Sequence, residues 1–234
     1  MRLDKALTLA GLTRSQARKA AAEGRARVDG VVVRDAAASV KPEQVTLDGA
    51  PIRQTGELTL MLYKPAGVLT ATEDSRCPTV MDFVPPEWKR RGLGPVGRLD
   101  KDVTGLVLLT TDGQLAHRLI SPKQQVEKRY EALVQGEPTE AELDRIRAGG
   151  LVFTDFTSKP AGAESLGGGR LILTLTEGKF HEVKRICAKI GHEVLQLKRL
   201  SIGGVELDPA LEEGRLRPVT EEEAERLYRV AGMR

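Results

Sequence analysis

Cysteine, histidine, asparagine and aromatic side chains are all scarce in this 234-residue chain, and each scarcity narrows what the protein can be. Cys77 and Cys187 stand alone and far apart, which excludes a disulfide framework and the paired spacing of a zinc site. The three histidines, His117, His181 and His192, are too dispersed to complete a ligand set, so no metal is expected. No apolar run approaches the length that crosses a bilayer, and the amino terminus lacks the apolar core of a signal peptide. A cytoplasmic protein with no membrane partner is therefore expected. Asparagine is missing altogether while Glu and Arg are plentiful, a bias that heat adaptation and a GC-rich source produce alike. Aromatics make up only 3% of the residues, so each Tyr and Phe is more informative than usual.

The apolar content of 40% is enough for a real core, and the length accommodates one ordinary domain plus a small one. Charge is distributed unevenly. Residues 1 to 34 hold eight Lys/Arg against three acids, a local balance of +5 within a chain total of +3, which leaves −2 for the rest. A basic amino-terminal module on a near-neutral body is the pattern of a polyanion-binding appendage.

That module spans residues 1–48. Leu3, Leu7 and Ala10 share one face of a short helix, and Thr13 with Gln16 forms a capping box for a second helix that Gly24 stops. Arg14 and Arg18 lie one turn apart on it. Asp29-Gly30 then marks a tight hairpin. Residues 49–57 have linker composition, and a second domain, 58–234, opens with a strand over Leu58–Tyr63.

The most distinctive stretch of that domain is Gly97 to Gly113. A charged loop runs straight into the apolar run Leu106–Thr110, which reads as a buried strand, so Asp100 is held close to a rigid element. Gly97 and Gly105 permit sharp bends, and Arg98 can orient the acid or grip a phosphate. On these residues alone, a surface loop with a solvated acid remains the simpler alternative. Tyr130 enters a strand behind Lys128 and Arg129, where an ordinary core aromatic is equally compatible. Further on, a helix starting in the Glu177–Cys187 stretch places Phe180, Val183, Ile186, Cys187 and Ile190 on one apolar face. Lys184 falls at the edge of that face, while Arg185 points away toward solvent or a phosphate. A carboxylate drawn out of water needs a cation such as Lys184.

These residues carry a resemblance. The run GRLDKDVTGLVLLTTDG resembles the signature of RNA pseudouridine synthases of the RsuA type, usually written GRLDxxTSGLLLLTNDG. Lys64-Pro65-Ala66-Gly67, Lys128-Arg129-Tyr130 and His181-Glu182-Val183-Lys184-Arg185 are similar to further blocks of the same family. RLDKAL and SQARKAAAEGRARVDG resemble the S4 RNA-binding domain. Departures are mild: Val103-Thr104 for Thr-Ser, Thr111 for Asn, and Glu182 for a glutamine.

The resemblance implies an α+β protein: a small α/β S4-like domain followed by a catalytic domain built on a mixed, mainly antiparallel sheet. It implies that the chain isomerises one uridine of ribosomal RNA to pseudouridine without cofactor or metal. Asp100 would be the essential carboxylate, attacking either the sugar or the base. Tyr130 would stack on the target base, and Lys184 would pair with the aspartate. Arg14, Arg18, Lys19, Arg25 and Arg27 would contact RNA phosphates, joined near the cleft by Arg98, Lys128 and Arg185. Lys198 and Arg199 are further RNA candidates, whereas Lys64 is expected to be structural. Small-subunit ribosomal RNA, free or in an assembling particle, is the expected partner of a monomeric enzyme. A synthase for large-subunit RNA and a non-catalytic ribosome-assembly factor are the alternatives. A glycosidase using Asp100 and Asp102 fits poorly, since acids two residues apart on a loop set no useful separation.

Overall fold

The hairpin and capping signals of the first fifty residues all form in the computed structural model, which describes residues 1–8, 10, 12–52 and 57–233. The chain divides into two units, residues 1–58 with 84–94, and residues 59–83 with 95–234.

The first unit contains α1 (Leu3–Thr8), α2 (Arg14–Ala22), β1 (Ala26–Val28), β2 (Val31–Val32), β3 (Val45–Leu47), β4 (Ala50–Pro51) and the short α3 (Pro86–Lys89). Thr13 and Gln16 cap α2 reciprocally, as expected. Ala10 is exposed, because α1 ends at Thr8 before its apolar face reaches that position. The small sheet has the order β2-β1-β3-β4. Both of its two-residue hairpins use an Asp-Gly pair with positive φ, Asp29-Gly30 and Asp48-Gly49. The second pair turns part of the expected linker into strand: Ala50 and Pro51 pair with Leu47 and Thr46. Residues 53–56 of that linker lie outside the described residues. Leu3, Leu7, Ala17, Ala21 and Val45 form the core of this unit.

The second unit is built on one large sheet. Its elements are β5 (Thr59–Lys64), β6 (Gly94–Pro95, at the unit boundary), β7 (Thr104–Thr110), α4 (Gly113–Ile120), β8 (Lys128–Val134), α5 (Glu140–Ala148), β9 (Gly162–Gly167), β10 (Arg170–Leu175), α6 (Glu182–Lys189), β11 (Val194–Ile202), β12 (Val205–Glu206), β13 (Leu216–Pro218) and α7 (Glu221–Val230). The main path is β13-β5-β7-β11-β8-β10-β9, antiparallel throughout except where β7 meets β11. Leu106 to Leu109 are all fully buried, so the apolar run is a central strand covered on both faces. Leu115, Leu119, Leu227 and Ala231 bring α4 and α7 onto Met61, Leu106 and Leu108. Asp112 caps α4 through the N–H groups of Gln114 and Leu115, and its other oxygen accepts the Tyr228 hydroxyl at 2.9 Å.

The parallel contact sets the geometry of the site. Lys198 and Arg199 of β11 pair with Thr104 and Gly105 of β7, while Arg199 also faces Tyr130 of β8. Gly105 has φ +110°, and a Cβ there would sit 2.3 Å from the Arg199 carbonyl oxygen. The glycine expected to bend a loop therefore also lets two central strands close. Among the described residues, no helix is long and apolar enough to cross a membrane.

Candidate active site

Asp100 sits on a loop clamped at both ends. Before it, Thr70 Oγ1 donates to the Leu99 carbonyl at 2.7 Å and accepts the Leu99 N–H at 3.1 Å. After it, the Gly67 N–H reaches the Lys101 carbonyl at 2.8 Å. The ammonium of Lys64, a wholly buried side chain, donates to the carbonyls of Pro65, Lys101 and Val103 at 2.9, 3.1 and 2.7 Å. Lys64 is thus a structural residue, filling all three of its donor positions with backbone oxygens. Burial pushes this ammonium down to about 8, against the pull of Asp102 and Asp100.

The opposite wall comes from the turn that leads into α6. The helix begins at Glu182, later than the sequence pattern indicates, because the Glu182 carboxylate accepts the Lys179 N–H at 3.0 Å and closes a turn over residues 179–182. Glu182 is buried by this arrangement, and burial raises its carboxyl above the usual range. His181 takes a left-handed conformation, φ +52°, just ahead of the helix. As a result Phe180 leaves the apolar face predicted for it and stands 64% exposed, stacked on the His181 ring. Val183, Ile186, Cys187 and Ile190 remain buried.

Two side chains approach Asp100 across this gap. The Nε2 of His181 lies 3.5 Å from one carboxylate oxygen, and the Nζ of Lys184 lies 3.8 Å from it. Lys184 is hydrogen-bonded to Asp102, however, donating to its two oxygens at 2.8 and 2.7 Å. The lysine expected for one aspartate is therefore shared between two, since Asp102 reaches back from the same loop. Lys184 holds the Asp102 carboxyl below its usual range. Arg98, Asp100, Tyr130, Lys179, His181 and Lys184 all line one cleft, with Val103, Leu175 and Leu197 among its apolar walls. Tyr130 reaches it from β8, whose partners are Leu173 on β10 and Arg199 on β11. The arrangement presents a carboxylate beside a cation and an aromatic ring, which suits an acid acting on a planar base.

His181 is a cleft residue that sequence reasoning missed. Its neighbourhood was legible only as part of a family block, and the backbone turn that aims it at Asp100 has no periodicity to betray it.

The structure sorts the expected RNA-contacting cations. Arg14, Arg18, Lys19 and Arg27 are exposed on the first unit, although Arg18 also approaches Asp4 at 3.5 Å and Arg27 donates to the Gly30 carbonyl at 3.1 Å. Arg98 is exposed at the cleft. Three others are committed elsewhere. Arg25 forms a bidentate pair with Asp48 at 2.9 and 2.6 Å. Arg185 does not point to free solvent: it pairs with Asp155 and lies over the rings of Phe153 and Phe156. Lys128 turns inward to the Val126 carbonyl at 2.9 Å, and burial, aided by nearby Arg199, pushes its ammonium down to about 8. Arg199 is not an RNA contact either. It is 2% exposed and donates from Nε to the Leu106 carbonyl at 2.8 Å, because β11 is a central strand and this position faces inward. Its neighbour Lys198 emerges on the other face, over the Tyr63 ring. Among the described residues, no group of three His, Cys, Asp or Glu side chains is placed to hold a metal ion.

Residues 58–189 match the RNA pseudouridylate synthase family, and residues 1–46 match the S4 domain. The chain belongs to the RNA pseudouridylate synthase family, in its RsuA-type branch with an amino-terminal S4 domain. It is 44% identical over 230 residues to an uncharacterized RNA pseudouridine synthase of Bacillus subtilis, covering 95% of this chain and 96% of that one. It is 40% identical over 229 residues to the ribosomal small subunit pseudouridine synthase A of Escherichia coli, covering 95% and 98%. A crystal structure of a pseudouridylate synthase, 37% identical, superposes with a TM-score of 0.70 over 97% of this chain and 99% of that one. The protein is thus an isomerase acting on RNA.

Proposed function

We propose that this chain converts a uridine of small-subunit ribosomal RNA to pseudouridine, with Asp100 as the essential carboxylate, Tyr130 packing on the base and Lys184 as the cation beside the acid. The observation that carries this reading is the convergence of all three on one cleft, with Lys184 Nζ 3.8 Å from the Asp100 carboxylate. Near full-length similarity to the small-subunit enzyme of Escherichia coli favours small- over large-subunit RNA.

The target uridine must leave its stack before its glycosidic bond is reachable. Asp100 attacks either the sugar C1′ or the base, and the N1–C1′ bond breaks. The uracil turns, a C5–C1′ bond forms, the bond between the Asp100 carboxylate and its adduct breaks to free the acid, the C5 proton leaves and N1 ends protonated. Substrate and product are isomers, so the balance requires no group donor, oxidant or cofactor. Tyr130 holds the detached ring in the cleft while it turns. Residues 1–48 act as the RNA-binding domain and 58–234 as the catalytic domain. Arg14, Arg18, Lys19 and Arg27, with Arg98 at the cleft, contact phosphates and supply affinity with little sequence preference. The enzyme works as a monomer in the cytoplasm, on ribosomal RNA or an assembling particle.

Pseudouridine mapping on small- and large-subunit RNA, free and partly assembled, tests this with wild type and Asp100→Asn. One new small-subunit site that vanishes in the variant is the expected result. A large-subunit site would reassign the substrate, and tight binding without modification would leave an assembly factor.

A further inference from the structure

Phe180 is an anomaly in a chain with four phenylalanines and one tryptophan. It is 64% exposed, forgoing the stabilisation that burial of an aromatic ring supplies. Its ring is nevertheless ordered by a partner: it stacks on His181 with centroids 3.8 Å apart and planes 19° from parallel. His181 in turn is fixed by its left-handed backbone and lies 3.5 Å from the Asp100 carboxylate. The stack therefore stands at the rim of the cleft, which His181 and the exposed Lys179 line.

We propose that the solvent-facing side of Phe180 is a stacking platform for the RNA base adjoining the target uridine. This rests on the reading of the cleft as a uridine-isomerising site. The argument is one of complementarity. A uridine that flips into the cleft deprives its neighbour of a stacking partner, and the lost stacking opposes the flip. A flat apolar ring beside the acid, with the exposed Lys179 next to it in the chain as a contact for the phosphate backbone, restores that partner. The column runs from the flanking base through Phe180 and His181 to the edge of Asp100. Because every base has a π face, the platform is indifferent to the identity of the flanking nucleotide.

The experiment measures tritium release from C5-tritiated uridine in ribosomal RNA transcripts, for wild type, Phe180→Ala, Phe180→Leu and Phe180→Tyr. Loss of one base–aromatic stack corresponds to about a 5- to 150-fold rise in KM. We expect that rise in the Ala and Leu variants, with a smaller change in kcat, unaltered melting temperature and near wild-type behaviour for Tyr. In a Trp88→Phe background, the emission of Phe180→Trp should be quenched as RNA binds. A Leu variant with wild-type KM, or a tryptophan emission indifferent to saturating RNA, would overturn the platform. Wild type releasing no tritium from either ribosomal RNA would defeat the parent reading instead, and the tryptophan titration would still decide the stack.

Discussion

Lys184 divides itself between two carboxylates, donating to both oxygens of Asp102 while standing 3.8 Å from Asp100. The two contacts differ in what they do. Asp102 is largely exposed and anchors the ammonium; Asp100 is the less exposed of the two and receives its field. Lys184→Met should slow pseudouridine formation by about 100-fold or more, the scale on which removal of one electrostatic stabiliser acts. Asp102→Asn keeps an acceptor for the lysine and should cost no more than about tenfold. Single-turnover rates on the same transcript check both. Equal losses in the two variants would make Asp102 the more important partner.

Lys64 should matter to stability before it matters to chemistry. Lys64→Met removes the donor shared by the Pro65, Lys101 and Val103 carbonyls. A buried polar group left unpaired costs on the order of 1–3 kcal/mol, and urea unfolding should show at least that loss. The ammonium is held at about 8, below the ordinary lysine value of 10.5. Across that window the unfolded chain binds more protons, so the Lys64 contribution to stability rises with pH. The gap between wild type and Lys64→Met should therefore widen from pH 8 to 10.5. A gap that narrows would contradict the burial argument.

Gly105→Ala should be among the most damaging small substitutions. It combines a left-handed backbone with a methyl group 2.3 Å from the Arg199 carbonyl oxygen. Strain and overpacking together should cost about 3 kcal/mol or more, and should disturb Asp100 and Tyr130 by parting β7 from β11. Gly113→Ala is the control: a Cβ there meets nothing within 4 Å. Thermal melts should drop sharply for the first and stay level or rise for the second.

His192 and Glu142 should give a bell-shaped stability difference. The Thr139 backbone N–H, the Thr139 hydroxyl and His192 bring Glu142 down to about 2. The Gln135 carbonyl and Glu142 raise His192 above 6.5. A raised histidine contributes fully below its unfolded value and loses that contribution as pH climbs through the folded one. A lowered carboxylate contributes fully above 4.5 and loses its share as pH falls toward 2. His192→Gln should thus destabilise most between pH 4.5 and 6.5, with the difference shrinking on both sides. Urea midpoints from pH 3 to 9 would show it; a flat difference would refute it.

Local signals in the sequence were reliable wherever the chain makes its own partners. The Thr13–Gln16 box, the Asp29-Gly30 turn and the Leu106–Thr110 strand each depend on residues a few positions apart, and each formed. Charged positions were the weak point. Lys128 and Arg199 read as surface cations because most lysines and arginines are. Only the place of β8 and β11 inside the large sheet turns these two inward. Arg185 and Arg25 were likewise legible as charge but not as pairs, since Asp155 and Asp48 lie 30 and 23 residues away.

By itself, the sequence determined the chemistry on offer: a glycine-framed acid ahead of a buried strand, a tyrosine opening another, a lysine at the edge of an apolar helix face and a basic first module. The tertiary structure decided which groups meet. It gave Lys184 to Asp102 as well as Asp100, aimed His181 at the acid and left Phe180 facing water. The reason is physical. Caps, turns and strand propensity act over a few residues, whereas an ion pair across 82 residues exists only once the sheet has closed.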